Sequence, residues 1–286
     1  VLCVDGFVYA VDPTTGERTH AMRHGAVDLG FRRVGRFRHE YRGHNGYSRI
    51  IPAVYHLDTS RDGRWLVSSG FDNNVYVWDA ISGKRRYAPL TLPNTAKRAI
   101  LSYDDRYLAV PHGHCVSIFN FESGDRVDTK IQHSESVRSV SFSNDGRKLL
   151  TTTIRGEVRI WHWQTSELVC PPVTLACNHT GDTGIAEFLG DSGDRMIAAT
   201  DDSISLWSTV SGRRLAPPFP ASSFPQRIVI CAKGTLACIS GSGGSNIDVV
   251  PLSDLHEQNS VSTPDLRILA EILSQQAVRG SVTVRM

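Results

Sequence analysis

The sequence predicts an all-β protein in which one four-stranded antiparallel sheet is repeated along the chain. Apolar and polar residues alternate in short runs, which is the pattern of a strand with one buried face. Turn signals such as Asn144-Asp145-Gly146 separate the runs, because these residue types tolerate the left-handed backbone that tight hairpins need. The unit returns about every 40–45 residues, a period typical of the blades of a β-propeller.

The clearest unit runs from Ser136 to Val173 and contains four strand-like runs. The same pattern returns over residues 51–92, 96–133, 180–221 and 223–259, and residues 1–20 match its last three strands. Aligning the third runs places five pairs at one position: Val11-Asp12, Trp78-Asp79, Phe119-Asn120, Trp161-His162 and Trp207-Ser208. Five units and one partial unit predict a propeller of six or more blades, possibly seven, over residues 1–259.

An Arg-rich insertion over about residues 22–49 explains why the first spacing between aligned pairs is 67 residues, against 41, 42 and 46 for the others. Its aromatic residues stand between arginines, so it is able to bind phosphate groups, an acidic peptide or nucleic acid. A loop that covers a sheet edge with solvated arginines explains it equally well. The candidate partner-binding residues are Arg32, Arg33, Arg36, Arg38 and Arg42.

The C-terminal segment, residues 260–286, departs from the strand pattern and predicts a short helix. Thr263, Pro264 and Asp265 are start signals, and apolar residues follow at helical spacing from Leu266 to Leu273. The chain begins at Val1 within a strand-like run, so we expect it to be a fragment of a longer polypeptide.

The period, the turns and the Trp-Asp pair together resemble the WD-repeat β-propeller family, over nearly everything up to about residue 255. The C-terminal pattern is similar to the tail of bacterial WD-repeat signalling proteins, including those fused to serine/threonine kinases. The resemblance implies a structural network of His, Ser or Thr, Asp and Trp in each blade, because a buried indole N–H and a buried carboxylate both need partners. The residues that match are His44, Asp72, Trp78, His133, Trp161, His179, Asp201 and Trp207.

Several units depart from this network. Arg155 stands where the unit of Trp161 should have its turn aspartate, so we expect that network to be incomplete and those of Trp78 and Trp207 to be intact. Gly113 and Phe119 replace the aspartate and the tryptophan in the unit over residues 96–133.

Composition limits the classes of partner. The net charge of +2 makes nucleic acid an unlikely partner, and no apolar run is long enough for a membrane span. The six cysteines contain no CxxC pair, and reduced, buried cysteines favour a cytoplasmic protein. Other proteins or peptides are therefore the expected partners, and the sequence does not indicate the oligomeric state.

No catalytic residue, metal site or cofactor is predicted. His112-Gly113-His114 offers two metal ligands, but no third follows nearby and a polar turn explains the motif better. There is no G-x-S-x-G elbow, P-loop or G-x-G-x-x-G motif that opens a helix, so we expect no enzyme within these residues. Any catalytic domain, such as a serine/threonine kinase, would lie upstream.

These observations favour a non-catalytic scaffold or sensor module for protein–protein interaction, forming the C-terminal part of a larger bacterial signalling protein. The alternative is binding of a polyanion, either nucleic acid or phosphate, through the Arg-rich insertion. A third hypothesis, a propeller hydrolase, requires a cluster of His, Ser or carboxylate side chains at the mouth of the central channel.

Overall fold

The computed structural model describes residues 7–11, 18–24, 26–28, 50–52, 54–176, 184–221, 225–231, 236–241 and 247–252, and these residues form 24 β-strands. The first four strands make two separate two-stranded sheets, β1 with β2 and β3 with β4. Their bounds are β1 (Phe7–Val11), β2 (Arg18–Arg23), β3 (Ala26–Asp28) and β4 (Ile50–Pro52).

The remaining strands form five consecutive antiparallel sheets, which we call blades A to E. Blade A contains β5 (Val54–Thr59), β6 (Trp65–Gly70), β7 (Asn74–Asp79) and β8 (Leu90–Thr91). Blade B contains β9 (Ile100–Leu101), β10 (Tyr107–His112), β11 (Cys115–Asn120) and β12 (Arg126–Gln132). Blade C contains β13 (Val137–Phe142), β14 (Lys148–Thr153), β15 (Glu157–His162), β16 (Glu167–Leu168) and β17 (Val173–Thr174).

Blade D contains β18 (Ile185–Leu189), β19 (Arg195–Ala199), β20 (Ser203–Ser208) and β21 (Phe219–Pro220). Blade E contains β22 (Pro225–Cys231), β23 (Leu236–Gly241) and β24 (Ile247–Pro251). Four blades therefore have at least four strands, and the described part of the fifth has three.

The predicted count of six or more blades is wrong, because the described residues form five. In the described residues before Val54, β1 and β2 pair with each other, as do β3 and β4, and no four-stranded sheet forms there. Turn signals and alternating apolar residues predict single strands. A blade forms only where hydrogen bonds join neighbouring strands, and the pattern of one strand does not say which strand will pair with it. The predicted C-terminal helix lies outside the described residues, which contain no helix.

The turn between the first and second strands is built in the same way in blades A, B and C. A serine accepts a hydrogen bond from the backbone N–H five residues later and donates to an aspartate two residues later, and these pairs are Ser60 with Asp62, Ser102 with Asp104, and Ser143 with Asp145. A residue with positive φ completes each turn: Gly63, Asp105 and Gly146. The left-handed backbone expected at Asn144-Asp145-Gly146 is thus present at Gly146, with φ of 69°.

Hydrophobic cores fill the spaces between neighbouring sheets. Buried residues of β6, β7, β10 and β11 form one core between blades A and B, and equivalent cores join B to C, C to D, and D to E. A smaller core packs Val8 and Met22 of the β1–β2 sheet against Tyr76 and Trp78 of blade A. Each fully buried aliphatic side chain contributes about 1.5–3 kcal/mol, so the stability of the molecule depends on face-to-face contact between sheets.

The first strands of the blades lie closest to the centre. β5 contacts β9, β9 contacts β13, β13 contacts β18 and β18 contacts β22, as strands around a common channel do. No helix in the described part of the chain is long and apolar enough to cross a membrane.

Candidate functional site: repeat networks and the mouth of the central channel

Blade A contains a complete network around Trp78. The buried indole N–H of Trp78 donates to Ser68 Oγ at 2.8 Å, and Ser68 Oγ lies 2.7 Å from His24 Nδ1. His24 Nε2 lies 3.3 Å from a carboxylate oxygen of Asp72, which also accepts hydrogen bonds from the Asn74 amide and the Tyr76 hydroxyl. Burial alone would raise the pKa of Asp72, but the hydrogen bonds from His24 and Asn74 outweigh it and lower that pKa.

The histidine of this network is His24, which was not among the residues predicted from the sequence. His44, the residue predicted for this role, lies outside the described residues. His24 directly follows β2, as His133 directly follows β12. The spacing between histidine and tryptophan points to His24. His133 lies 28 residues before Trp161, and His24 lies 54 residues before Trp78. The two spacings differ by about the length of the Arg-rich insertion.

Blade C also has a complete network, so the expectation that it would be incomplete is wrong. Trp161 donates to Thr151 Oγ1 at 2.9 Å, and His133 Nε2 lies 2.9 Å from the same oxygen. The carboxylate comes from Glu157, whose Oε1 lies 3.2 Å from His133 Nδ1. Arg155 points away into solvent and pairs with Glu135. A glutamate two residues later thus replaces the missing turn aspartate, because its longer side chain reaches back to the imidazole.

Blade D departs further from the pattern than its sequence suggests. Ala198 pairs with Ser205 at the position equivalent to Ser68 and Thr151, so the second strand offers no hydroxyl group there. The Trp207 indole donates to Ser205 on its own strand, at 2.8 Å. His179 lies outside the described residues, and Asp201 lies in the turn before β20. The expectation that blade D would keep the usual intact network is therefore wrong at its hydroxyl position.

Blade B replaces the network with a smaller contact. His112 is buried and its Nε2 lies 2.8 Å from Ser117 Oγ, while Phe119 occupies the position of the tryptophan. His114, the other histidine of the predicted motif, directs Nδ1 to the Ser134 carbonyl at 3.0 Å. The two histidines thus have separate partners, and no group of three metal-ligating side chains occurs among the described residues.

The candidate functional site is the mouth of the central channel, at the end where the first strands begin. In blades A, C and E the register shifts at the second residue of the first strand, where one extra residue forms a β-bulge. Bulges re-aim side chains and occur beside functional sites. The three extra residues, Tyr55, Arg138 and Gln226, all line a polar cavity of about 290 Å³ at this mouth.

Arginines from three blades meet at this mouth. Arg98, just before β9, pairs with Glu187 of β18 at 2.8 Å. Arg138 is buried and donates to the carbonyls of Gly184 at 3.3 Å and Pro225 at 3.0 Å, which joins the starts of blades D and E to blade C. Arg227 of β22 is exposed. These arginines lie far apart in the chain, so no local sequence pattern connects them.

Two titratable groups of β5 lie beside these arginines. Burial, together with the charges of Arg98 and Arg227, lowers the pKa of His56 to about 3 and outweighs a backbone hydrogen bond with Ala99 that favours the charged form. Burial raises the pKa of Asp58, although its carboxylate accepts a hydrogen bond from the Leu101 N–H at 2.9 Å. Near neutral pH His56 is therefore uncharged.

Replacing His56 with leucine should make the free energy of unfolding depend less steeply on pH in the acid range. The folded pKa lies below the unfolded value of 6.5, so the unfolded chain binds the extra proton between about pH 6.5 and pH 3. In this window His56 makes the wild-type free energy of unfolding fall by up to about 1.4 kcal/mol for each pH unit of acidification. Urea unfolding of both proteins at several pH values measures the difference. Equal slopes would show that His56 does not titrate in this way.

The channel mouth does bring together a histidine, a serine and a carboxylate, as the hydrolase hypothesis required, but not in a reactive arrangement. The Ser139 hydroxyl is hydrogen-bonded to Thr152. His56, with a pKa of about 3, is too weak a base to activate a hydroxyl group at neutral pH. The arrangement suits binding of charged groups better than proton transfer.

Comparison with known proteins agrees with the fold. Residues 35–79 and 124–162 match the WD domain, G-beta repeat family model. An uncharacterized WD repeat-containing protein of Synechocystis sp. is 27% identical over 54% of this chain and 43% of its own length. Apoptotic protease-activating factor 1 of Rattus norvegicus is 28% identical over 53% of this chain and 12% of its own length. The chain thus spans less than half the length of these relatives.

A solved structure, the Cps50 (Swd1) β-propeller domain of Myceliophteria thermophila, superposes with a TM-score of 0.62 and 18% identity. The superposition covers 87% of this chain and 77% of that one, and at this identity it speaks for the fold alone. The expected β-propeller fold is confirmed by the sheet order and by this superposition. Two stretches of the chain match the WD-repeat model, and the networks around Trp78 and Trp161 lie in blades A and C.

Proposed function

We propose that this protein is a non-catalytic scaffold or sensor module that binds other proteins at the channel mouth. WD40 propellers are generally protein-interaction scaffolds. The observation that supports this face is an exposed aromatic pair beside the channel: Tyr55 is 41% exposed, Phe71 is 44% exposed, and their rings meet edge to face at 5.4 Å. Tyr55 lies on β5 and Phe71 in the β6–β7 turn, and exposed aromatic residues are typical anchors for partner proteins.

The proposal is tested by changing one face of the propeller at a time. A variant with Tyr55→Ser and Phe71→Ser should lose at least about tenfold in affinity for a partner identified by crosslinking in native cells, since aromatic anchors dominate such interfaces. Tyr103 provides the control: it is 47% exposed but lies in the β9–β10 turn, at the opposite ends of the strands. Equal binding by wild type and the double variant, or equal loss with Tyr103→Ser, would refute the assignment of this face.

We also propose that this protein is a regulatory module within a larger bacterial signalling protein, and that it acts in the cytoplasm. Similarity to a WD repeat-containing protein of Synechocystis sp. supports the bacterial setting, and the relatives are longer than their matched parts. A catalytic domain, such as a serine/threonine kinase, would lie upstream. Reading the upstream coding sequence tests this directly.

Binding of a polyanion through the Arg-rich insertion stays a prediction. Arg32, Arg33, Arg36, Arg38 and Arg42 lie outside the described residues. Absence of retention on heparin at low ionic strength would refute it.

A further inference from the structure

A proline-rich segment runs along the outer edge of blade D. It covers residues 213–220, with the sequence RRLAPPFP, and its last two residues form β21, the edge strand of the sheet. The Leu215 N–H donates to the Leu206 carbonyl at 2.8 Å. Directly after the segment, the Ala221 N–H donates to the Asp202 carbonyl at 3.0 Å. The segment is therefore fixed to blade D at both ends.

The prolines hold the backbone of this segment in an extended form. A proline fixes its own φ at about −65° and restricts the residue before it to extended or polyproline II backbone. The steps Ala216-Pro217 and Phe219-Pro220 lie three residues apart, which is one turn of a polyproline II helix. A partner that binds this form has little conformational entropy to remove from it.

Phe219 is exposed where the equivalent residues of blades A and C are buried. Leu90, Val173 and Phe219 each pair with the residue three positions before the repeat tryptophan of their blade. Leu90 is 9% exposed and Val173 is 5% exposed, and both belong to cores between blades. Phe219 is 40% exposed, and Leu215 of the same segment is 50% exposed. Apolar side chains thus stand open to solvent beside the prolines.

Protection of the sheet edge explains one proline here better than three. A proline on an edge strand prevents pairing with another sheet. Pro89 has this place in blade A, directly before β8, and Pro218 is its equivalent directly before β21. Blade D adds Pro217 and Pro220, and all three of its prolines are exposed. Exposed X-Pro steps at this spacing are what the aromatic-lined grooves of proline-recognition domains bind.

Two arginines precede the proline run and indicate the charge of the partner. Arg213 and Arg214 are both exposed, and the Arg214 guanidinium lies over the Trp207 ring at 5.1 Å. The chain bends at Ala216, so the arginines flank the proline run rather than continue it. A groove with carboxylates at one end would be complementary to this arrangement.

We propose that the outer edge of blade D binds a proline-recognition domain, with the two X-Pro steps in the aromatic-lined groove of that domain and its acidic residues at Arg213 and Arg214. This edge is separate from the channel mouth, because β21 is the outermost strand of its sheet and the mouth is lined from the first strands. The inference therefore adds a second interaction surface, with a partner of different chemistry.

The test uses the whole 286-residue protein and a set of purified SH3 and WW domains. A synthetic peptide of residues 212–222 first selects the domain that binds this sequence. That domain should bind the whole protein at least as tightly as the peptide, because the fold already holds the segment extended. Absence of binding to the peptide would overturn the proposal. An affinity for the whole protein more than about tenfold below that for the peptide would overturn it too, since the fold would then hide the segment.

Pro217→Ala combined with Pro220→Ala should weaken binding to the whole protein at least about tenfold, because both X-Pro steps are lost. Pro171→Ala combined with Pro172→Ala is the matched control, since these prolines are also exposed but precede the buried Val173 in blade C. The control should stay within about twofold of wild type, because its substitutions lie in another blade. Equal weakening by the two double variants would contradict a site on blade D.

The exposure of Phe219 is tested separately by urea unfolding. Leu90→Ser should lower the unfolding midpoint strongly, because Leu90 is part of a core, whereas Phe219→Ser should change it far less. Equal falls would show that the Phe219 ring is packed within the protein and would overturn the proposal.

A last comparison separates this inference from the proposed function. The double variant of Tyr55 and Phe71 should bind the selected domain as wild type does, because both residues lie on the channel face. Loss of domain binding in this variant would contradict a site on blade D. If the proline variant leaves domain binding unchanged, the inference fails while the scaffold function at the channel mouth stands.

Discussion

Replacing Ser68 with alanine should destabilise the protein by about 2–3 kcal/mol, since it leaves two buried groups without their partner. The hydroxyl lies between the indole N–H of Trp78 and Nδ1 of His24, and all three side chains are buried. Equilibrium unfolding in urea, followed by tryptophan fluorescence, measures the change. A loss below about 0.5 kcal/mol would show that water satisfies both groups instead.

Ser205 in blade D provides the matched control for Ser68. It also accepts the N–H of a repeat tryptophan, but Trp207 is only half-buried and water can replace the serine. We expect Ser205→Ala to cost less than about 1 kcal/mol. Repeating Ser68→Ala in a Trp78→Phe background should cost less than in wild type, because the indole donor is gone and only the histidine loses a partner.

Replacing Arg138 with methionine should destabilise the protein by about 2–4 kcal/mol, because two buried carbonyls lose a charged donor. Gly184 directly precedes β18 of blade D, and Pro225 is the first residue of β22 of blade E. The midpoint of urea unfolding should fall, and amide exchange should accelerate in β18 and β22.

Arg64→Met is the control for Arg138. The Arg64 guanidinium is largely exposed and pairs with Asp79 at 3.5 Å. Exposed ion pairs contribute little, so the change should lie within about 0.5 kcal/mol. Equal effects at Arg64 and Arg138 would mean that Arg138 does not hold the blades together.

Much of the fold was predictable because its signals are local. Trp78, Phe119, Trp161 and Trp207 lie on β7, β11, β15 and β20, the third strands of blades A to D. Alternation depends on the pleat of one strand, and turn chemistry depends on a few neighbouring residues, so both can be read from the chain. The blade count failed because it depends on pairing between strands, and the described residues before Val54 pair only as two-stranded sheets.

The networks were only partly predictable. Asp72 and Trp78 could be placed from the repeat, but the histidine that joins them, His24, lies at the start of the Arg-rich insertion, far from both in the sequence. Glu157 takes the role of a turn aspartate because His133 lies within its reach, which sequence spacing does not state. Ala198 removes the hydroxyl of blade D, a change visible in the sequence only once the register of β19 and β20 is known.

The sequence by itself determined that the chain forms short antiparallel strands in a repeated order, with tryptophans on the third strands and arginines among them. These properties follow from the period of the strand, the chemistry of turns and the charge of each side chain. Only the tertiary structure decided which arginines meet at the channel mouth, since Arg98, Arg138 and Arg227 lie in three different blades. The packing of the first strands around a common channel brings them together, and that packing depends on several blades at once.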